Sequence, residues 1–356
     1  MKFLRRKSLI GIALLGTILP FGTAIAGNPD RAGQAGATEL LINPWSRSSG
    51  WSGANSGSIQ GIEAQFYNVA GIAQNRKTEA IFSHTNYLQG TGMGINAFGL
   101  AVKSGESGVL GFSLMSLTFG DVQITTTELP EGGLGNYKPQ YINIGFSYAK
   151  MFSNAIFGGV TVKIIDESIS NVGAGGMAID AGIQYVTGTN EDRNNVKFGI
   201  ALKNVGTPLK FGGDGLSTRV NAPATNNVYQ LTIEQKASGF EIPSLINIGA
   251  TYDFNIAVDH TLSAAVTFTS NSFTNDQFIG GLEYRFLNKF MIRGGFIYEK
   301  DLFDDNLRTT VYTGPSGGVT LDLPLGKSGK SFGIDYSYRA SNPWDGIHSF
   351  GVRFAL

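Results

Sequence analysis

Ile347-His348-Ser349-Phe350-Gly351-Val352-Arg353-Phe354-Ala355-Leu356 decides how the chain is read. Phe350, Val352, Phe354 and Leu356 alternate with Ser349, Gly351, Arg353 and Ala355, a period of two that predicts a strand. One face is bulky and apolar, the other small or charged. A strand in a membrane barrel has that character, apolar towards lipid and polar towards the lumen. Such a strand needs partners, so the rest of the chain is searched for strands that would close a cylinder with it.

Composition agrees with a barrel. Gly (49), Phe (24) and Tyr (13) are abundant, while charged residues make up only 15% of the 356, well below the quarter or so of a soluble domain. With no cysteine, disulfides, thiolate metal sites and a lipid anchor on Cys are excluded. The formal net charge is zero, and without the four bases of residues 1–26 there remain 23 basic against 27 acidic side chains. Nothing in that balance points to nucleic acid.

Residues 1–26 read as a secretory signal peptide. Lys2, Arg5, Arg6 and Lys7 form its positive start, Leu9 to Leu19 its apolar run, and Ala24-Ile25-Ala26 a cleavage site before Gly27. The run is short for a membrane-anchoring helix, and no later stretch of about twenty apolar residues follows. A membrane form of this protein is therefore a barrel.

Residues 27–77 are rich in Gly, Ser, Ala and Asn and are not strand-like. Arg47, Trp51, Phe66 and Asn68 stand out in them. Two tryptophans and Phe66-Tyr67 are too apolar for a solvated linker, so the segment is expected to fold into the barrel as a plug.

From Thr78 to Leu356 the chain is expected to form the barrel. Strand-like segments alternate with clusters of Gly, Asn, Asp, Ser and Pro: 78–88, 93–103, 107–119, 140–152, 155–166, 177–187, 196–204, 245–255, 259–269, 277–286, 290–299, 316–323, 331–340 and 347–355. Connections after odd-numbered strands read as mostly long (120–139, 167–176, 205–244, 300–315), those after even-numbered ones as short. Outer-membrane barrels have short periplasmic turns and longer external loops. The expectation is an all-β, transmembrane antiparallel barrel of about fourteen strands, both ends periplasmic. Segments 121–128 and 228–236 are the alternative for an extra pair. No blade or coil repeat of a propeller or β-helix is present.

A lipid-facing Arg at the midplane costs about 2–4 kcal/mol, so strand charges should point inward. Glu283, Arg285, Arg293, Asp335, Arg339 and Arg353 are expected to form a mixed-sign lumen wall, as a salt-bridge network more readily than a substrate path.

Few motifs suggest chemistry. Gly314-Pro315-Ser316-Gly317-Gly318 matches G-x-S-x-G by letter but lacks the following helix, and reads as a rim turn. Gly90 to Gly94 and Gly173 to Gly176 lack a phosphate-loop Lys and read as turns. His84, His260 and His348 are scattered, so no metal site and no cofactor is expected. Asp301, Asp304, Asp305 and Asn306 read as a solvated acidic loop rather than a Ca²⁺ site. Without a Ser/His/acid set the chain is not expected to be an enzyme. The long connection 205–244 offers Leu209, Phe211, Leu216, Val220, Tyr229 and Phe240 as a lid or partner-docking surface, with a loop folded back over the barrel as the alternative.

The tract Ser46-Arg47, Gly50, Gly53-Ala54 followed by Asn68-Val69-Ala70-Gly71 resembles the N-terminal region of the PorV/PorQ family of Bacteroidetes outer-membrane proteins, related in fold to FadL-type fatty-acid channels. Asn204 to Phe211, Pro243-Ser244-Leu245 and Gly249 to Tyr252 are similar to its mid-barrel block. Val69 stands where the family has Pro, and Trp51 where Met is common. The resemblance implies a plugged fourteen-stranded barrel in the outer membrane of a Gram-negative, Bacteroidetes-type bacterium. It implies a part in type IX secretion, with external loops binding the translocon and the C-terminal signal domains of cargo, and outer-membrane lipid around the wall. The alternative is a FadL-like channel for uptake of hydrophobic small molecules.

Overall fold

A computed structural model describes residues 31–75, 77–187, 195–222, 229–326 and 329–356. The signal-peptide reading falls on residues outside these. Fourteen strands form one closed antiparallel barrel: β1 (Thr78–Asn86), β2 (Gly94–Ser104), β3 (Gly108–Thr118), β4 (Gln140–Met151), β5 (Ile156–Ile169), β6 (Val172–Thr187), β7 (Val196–Gly206), β8 (Leu245–Ala257), β9 (His260–Asn271), β10 (Gln277–Phe286), β11 (Phe290–Glu299), β12 (Tyr312–Leu325), β13 (Lys330–Ser341) and β14 (Ile347–Ala355). Each pairs with its neighbours in sequence, and β14 closes the cylinder on β1 from Glu79 opposite Ala355 to Asn86 opposite His348. No described helix is long and apolar enough to cross a membrane.

The alternation in sequence sets which way side chains face. Phe82, Phe98, Phe146, Ile183, Ile200 and Phe350 are exposed on the outer wall, while Ser83, Ala97, Ser147, Gln184, Ala201 and Ser349 beside them are buried in the lumen. Aromatic pairs gather towards both rims, with Tyr252 and Phe254 at 4.5 Å and Phe332 and Phe354 at 4.8 Å near the short turns, and Tyr298 and Phe303 at 6.3 Å at the opposite rim. Such girdles mark the two membrane interfaces of an outer-membrane barrel.

Two expectations about connections are corrected, and the alternative of an extra strand pair is not taken. The segment 167–176 is no loop: β5 and β6 run on to a tight turn, with Ile169 opposite Val172. Gly173, Gly175 and Gly176 are thus strand residues, as are Gly314 to Gly318 in β12. Neither extra segment enters the barrel. Val122–Gln123 pairs with Asn136–Tyr137, and Ser217–Ala222 with Tyr229–Glu234, as separate small hairpins.

Two irregularities shape the wall. Between β6 and β7 the register shifts around Asn204, which takes φ 58°. Asn204 is buried, donates to the Pro243 carbonyl at 2.9 Å and accepts from Lys163 at 2.8 Å, so the bulge ties the long loop to the wall. Between β11 and β12 pairing runs from Phe290 opposite Leu321 only to Phe296 opposite Pro315. Proline has no N–H to extend the ladder. Beyond it Tyr312 pairs with Ser341 of β13, leaving the top of β11 unzipped from β12.

Candidate functional site

Residues 38–75 run through the lumen as short helical turns, Thr38–Leu41, Ser46–Ser49, Ala64–Tyr67 and Val69–Gln74, joined by loops. Small residues let this plug lie directly on the strands. A Cβ on Gly295 would meet the Trp51 carbonyl oxygen at 2.3 Å, and one on Gly249 would meet Ser56 Oγ at 2.2 Å. Trp51 itself packs with Ala54, Ala265, Ile279 and Ile297.

The plug lacks regular structure, so wall side chains satisfy its backbone. Gln184 donates to the Ile59 carbonyl at 3.0 Å, Thr267 to that of Ala54 at 2.7 Å, and Asn247 to that of Tyr67 at 3.2 Å. Glu79 accepts from the Ile62 N–H at 3.0 Å. Asn68 works in the other direction. It accepts from the Ala70 N–H at 3.2 Å and donates to the Ile183 carbonyl of β6 at 3.1 Å. These bonds hold the plug all round its circumference.

The lumen charges form a chain on one side of the wall. Arg293 donates to Glu283 at 2.9 Å and to Thr320 at 2.6 Å, and the Thr320 hydroxyl donates to Asp335. Arg285 lies 3.6 Å from Glu283 and is half-buried, and Arg353 pairs with Asp322 at 3.2 Å. The chain reaches the plug, where Arg293 meets the Arg47 carbonyl at 3.5 Å and Arg47 lies 3.9 Å from Glu63. Arg339 stands apart from the expected network. Its guanidinium is stacked 3.7 Å over the Tyr312 ring near the opposite rim.

Burial pushes the Glu63 carboxyl above the ordinary glutamate range, against the pull of Arg47. A raised carboxyl contributes stability that is complete below the unfolded value and is lost as pH rises through the folded one. Acidification is therefore expected to stabilise the plug through Glu63, and Glu63→Gln to flatten that slope. Unfolding midpoints in detergent micelles across pH check this, since an unchanged slope in the variant would contradict it.

Two spaces flank the plug. On the side of the short turns a polar vestibule of about 390 Å³ is lined by Gln60, Gln74, Lys197, Asp253 and Arg285 among others. On the side of the long loops lies a pocket of about 340 Å³. Its floor is Ser52, Phe66 and Tyr67 of the plug, and its walls include Leu245, Ile279, Ile297, Tyr312, Lys203 and Arg339. Burial pushes the Tyr67 phenol up to about 12, so it stays neutral. Ile297, Glu299 and Tyr312 place the pocket beside the unzipped stretch of β11 and β12.

The expected loop residues divide. Leu209 is fully buried and pairs with Phe240, whose ring lies 5.5 Å from that of Phe211, so these three fold inward over the barrel. They offer no free docking surface. Leu216 and Val220 are half-buried, and Tyr229 begins the second strand of the hairpin. Leu231 and Ile233 on that strand are exposed instead. Ser316, read as part of a turn, donates to the Gly50 carbonyl at 3.1 Å and so anchors the plug. Asp305 pairs with Arg308 at 3.0 Å, and no metal-holding group of acids or histidines occurs among the described residues. Lys203 was not singled out from sequence. Its signal was there, since Lys197, Gly199, Ala201 and Lys203 alternate with Phe198, Ile200 and Leu202.

Comparison with solved structures places this geometry. The chain is similar to the toluene transporter TodX of Pseudomonas putida (TM-score 0.54, 10% identity, 88% of this chain and 97% of that one). It is likewise similar to a Pseudomonas aeruginosa FadL homologue (0.51, 14%, 87% and 96%). The fold is that of FadL-like outer-membrane barrels. The CymD monoaromatic hydrocarbon channel shares it (0.52, 13%, 88% and 96%). No protein-family model and no curated protein sequence matches the chain. The PorV/PorQ resemblance thus stands on its short motifs alone, while the FadL-like fold stands on the whole barrel.

Proposed function

We propose that this barrel takes up hydrophobic small molecules through the pocket above its plug. The pocket carries the reading. It is a concave space of ligand size in which apolar side chains such as Leu41, Ile279, Ile297 and Val311 share the lining with polar ones such as Asn247, Thr269 and Gln277, a form that small-molecule sites take. The FadL-like fold supports it, TodX being a toluene transporter and CymD a monoaromatic hydrocarbon channel.

The plug's many wall contacts close the axial path, so the exit is lateral. Where β11 and β12 are unzipped, a molecule in the pocket passes into the hydrocarbon layer beside Ile297 without displacing the plug. Filling the pocket tests this. Outer-membrane vesicles containing the barrel are expected to take up the uncharged probe N-phenyl-1-naphthylamine several-fold faster than protein-free vesicles, and Ile297→Trp to lose most of that gain. Equal rates with and without the protein would overturn the proposal.

The second reading is a docking scaffold for type IX secretion. The exposed Leu231 and Ile233 on the external hairpin favour it, as does the tightly held plug. It predicts co-purifying proteins rather than a bound small molecule.

A further inference from the structure

The two spaces that flank the plug come close to each other along β10. The inward-facing residues of that strand are, in turn, Gln277, Ile279, Gly281, Glu283 and Arg285, and they serve as a ruler of height. Gln277 and Ile279 line the outer pocket, whereas Glu283 and Arg285 line a polar space of about 130 Å³ beneath it. That space shares Gln60, Lys197, Asp253 and Arg285 with the vestibule at the short turns, so the two form one polar passage. Four residues of strand, about 13 Å, separate Ile279 of the pocket from Glu283 of the passage.

At the level between them the wall offers only small residues. Ala265, Gly281, Gly295 and Ser316 lie opposite one another across β9, β10, β11 and β12. The indole of Trp51 takes up the room they leave. A Cβ on Gly281 would meet its ring at 3.0 Å, and Ala54, Ala265, Ile279 and Ile297 complete the apolar cluster around it. Trp51 borders the polar space below, while Ser52, the next residue, borders the outer pocket above. Only 4% of Trp51 is exposed. One large side chain thus stands on this side of the lumen between the outer pocket and the polar passage. An apolar constriction of that kind holds back water and ions, which lose their hydration on entering it.

We infer that Trp51 is the seal that withholds a second activity from this barrel, the axial conduction of small hydrophilic solutes and ions. Behind the seal the way is already built, with Glu283, Arg285, Lys197 and Asp253 giving it polar sides down to the short turns. Polar solutes that enter the outer pocket stop at the indole, whereas apolar ones leave through the wall where β11 and β12 part. That sorting rests on the small-molecule reading, but the seal itself does not, since it holds whatever the outer pocket accepts.

The test is the conductance of the purified full-length barrel in planar phosphatidylcholine bilayers bathed in potassium chloride, with swelling of liposomes in arabinose as a second readout. The wild type is expected to be silent. Trp51→Ala should give discrete currents and swell liposomes several-fold faster than the wild type, while Trp51→Phe should stay nearly closed. Heat-modifiable migration on gels reports whether each variant folds. Should Trp51→Ala not fold, Trp51→Leu keeps an apolar contact on Ala265 but lacks the breadth of an indole, and it is expected to conduct as well. Gln65→Leu removes a 2.6 Å bond from the plug to Ser147 on another side of the lumen, and should remain silent. A folded Trp51→Ala or Trp51→Leu without conductance would overturn the inference, as would a wild type that conducts as freely as either. Equal currents from Gln65→Leu would overturn it too, since they would show a plug loosened as a whole. Failure of the wild type to take up N-phenyl-1-naphthylamine would overturn the small-molecule reading and leave the seal standing.

Discussion

Deleting Ser349–Leu356 is expected to abolish assembly of the barrel. β14 is the closing strand, paired on one side with β1 through Glu79 to Asn86 and on the other with β13 through Ser331 to Arg339. Without it both neighbours become open edges. Each unpaired N–H or C=O facing hydrocarbon costs several kcal/mol, which is why only closed sheets span membranes. The deletion also removes Arg353, the partner of Asp322, and the Ser349 carbonyl that Ser46 of the plug donates to at 2.9 Å. Heat-modifiable barrel should disappear from the membrane fraction, while the milder Arg353→Ala change should leave it present. Normal amounts of folded barrel after the deletion would contradict the closure seen between β14 and β1.

Arg293→Met is expected to be the most destabilising single change in the lumen, by about 3–5 kcal/mol. Arg293 and Glu283 are each 3% exposed, and removing the guanidinium strips Glu283 of its short contact, leaving Arg285 at 3.6 Å. It also removes the donor to Thr320 and the contact to the Arg47 carbonyl, so wall and plug are loosened together. The cost comes mainly from the stranded carboxylate rather than from the worth of the pair. The double change Arg293→Met with Glu283→Leu should therefore recover much of the loss. Denaturant unfolding in micelles measures both. A double variant as unstable as Arg293→Met alone would show that loss of the pair itself, not an orphaned charge, loosens this side of the barrel.

All fourteen strands were legible, because their outward faces carry large apolar residues at every second position, as in Phe278, Leu282, Tyr284 and Phe286. Several glycines misled. Gly173 to Gly176 and Gly314 to Gly318 look like turns, yet they lie in strands where something packs against the backbone. A Cβ on Gly176 would meet Leu209 at 3.0 Å, and one on Gly318 would meet Gly50 at 3.2 Å. In a barrel with a filled lumen, strand glycine marks close approach.

The inward face of each charge was readable from its period, but its partner was not. Arg339 and Arg293 are both inward-facing residues, yet one stacks on Tyr312 and the other pairs with Glu283. Height along the barrel decides between them, and that depends on shear rather than on local pattern. The pocket escaped reading for a related reason. Phe66, Lys203, Ile279 and Tyr312 come from four distant parts of the chain, and only the closed barrel brings them round one space.

The most direct test of the central claim is native mass spectrometry of the barrel extracted from its own membrane in a mild detergent. The account predicts a barrel carrying one hydrophobic small molecule per chain, retained by the wild type and largely lost from Ile297→Trp. A barrel with an empty pocket, recovered instead with other proteins bound, would contradict it and favour the docking scaffold.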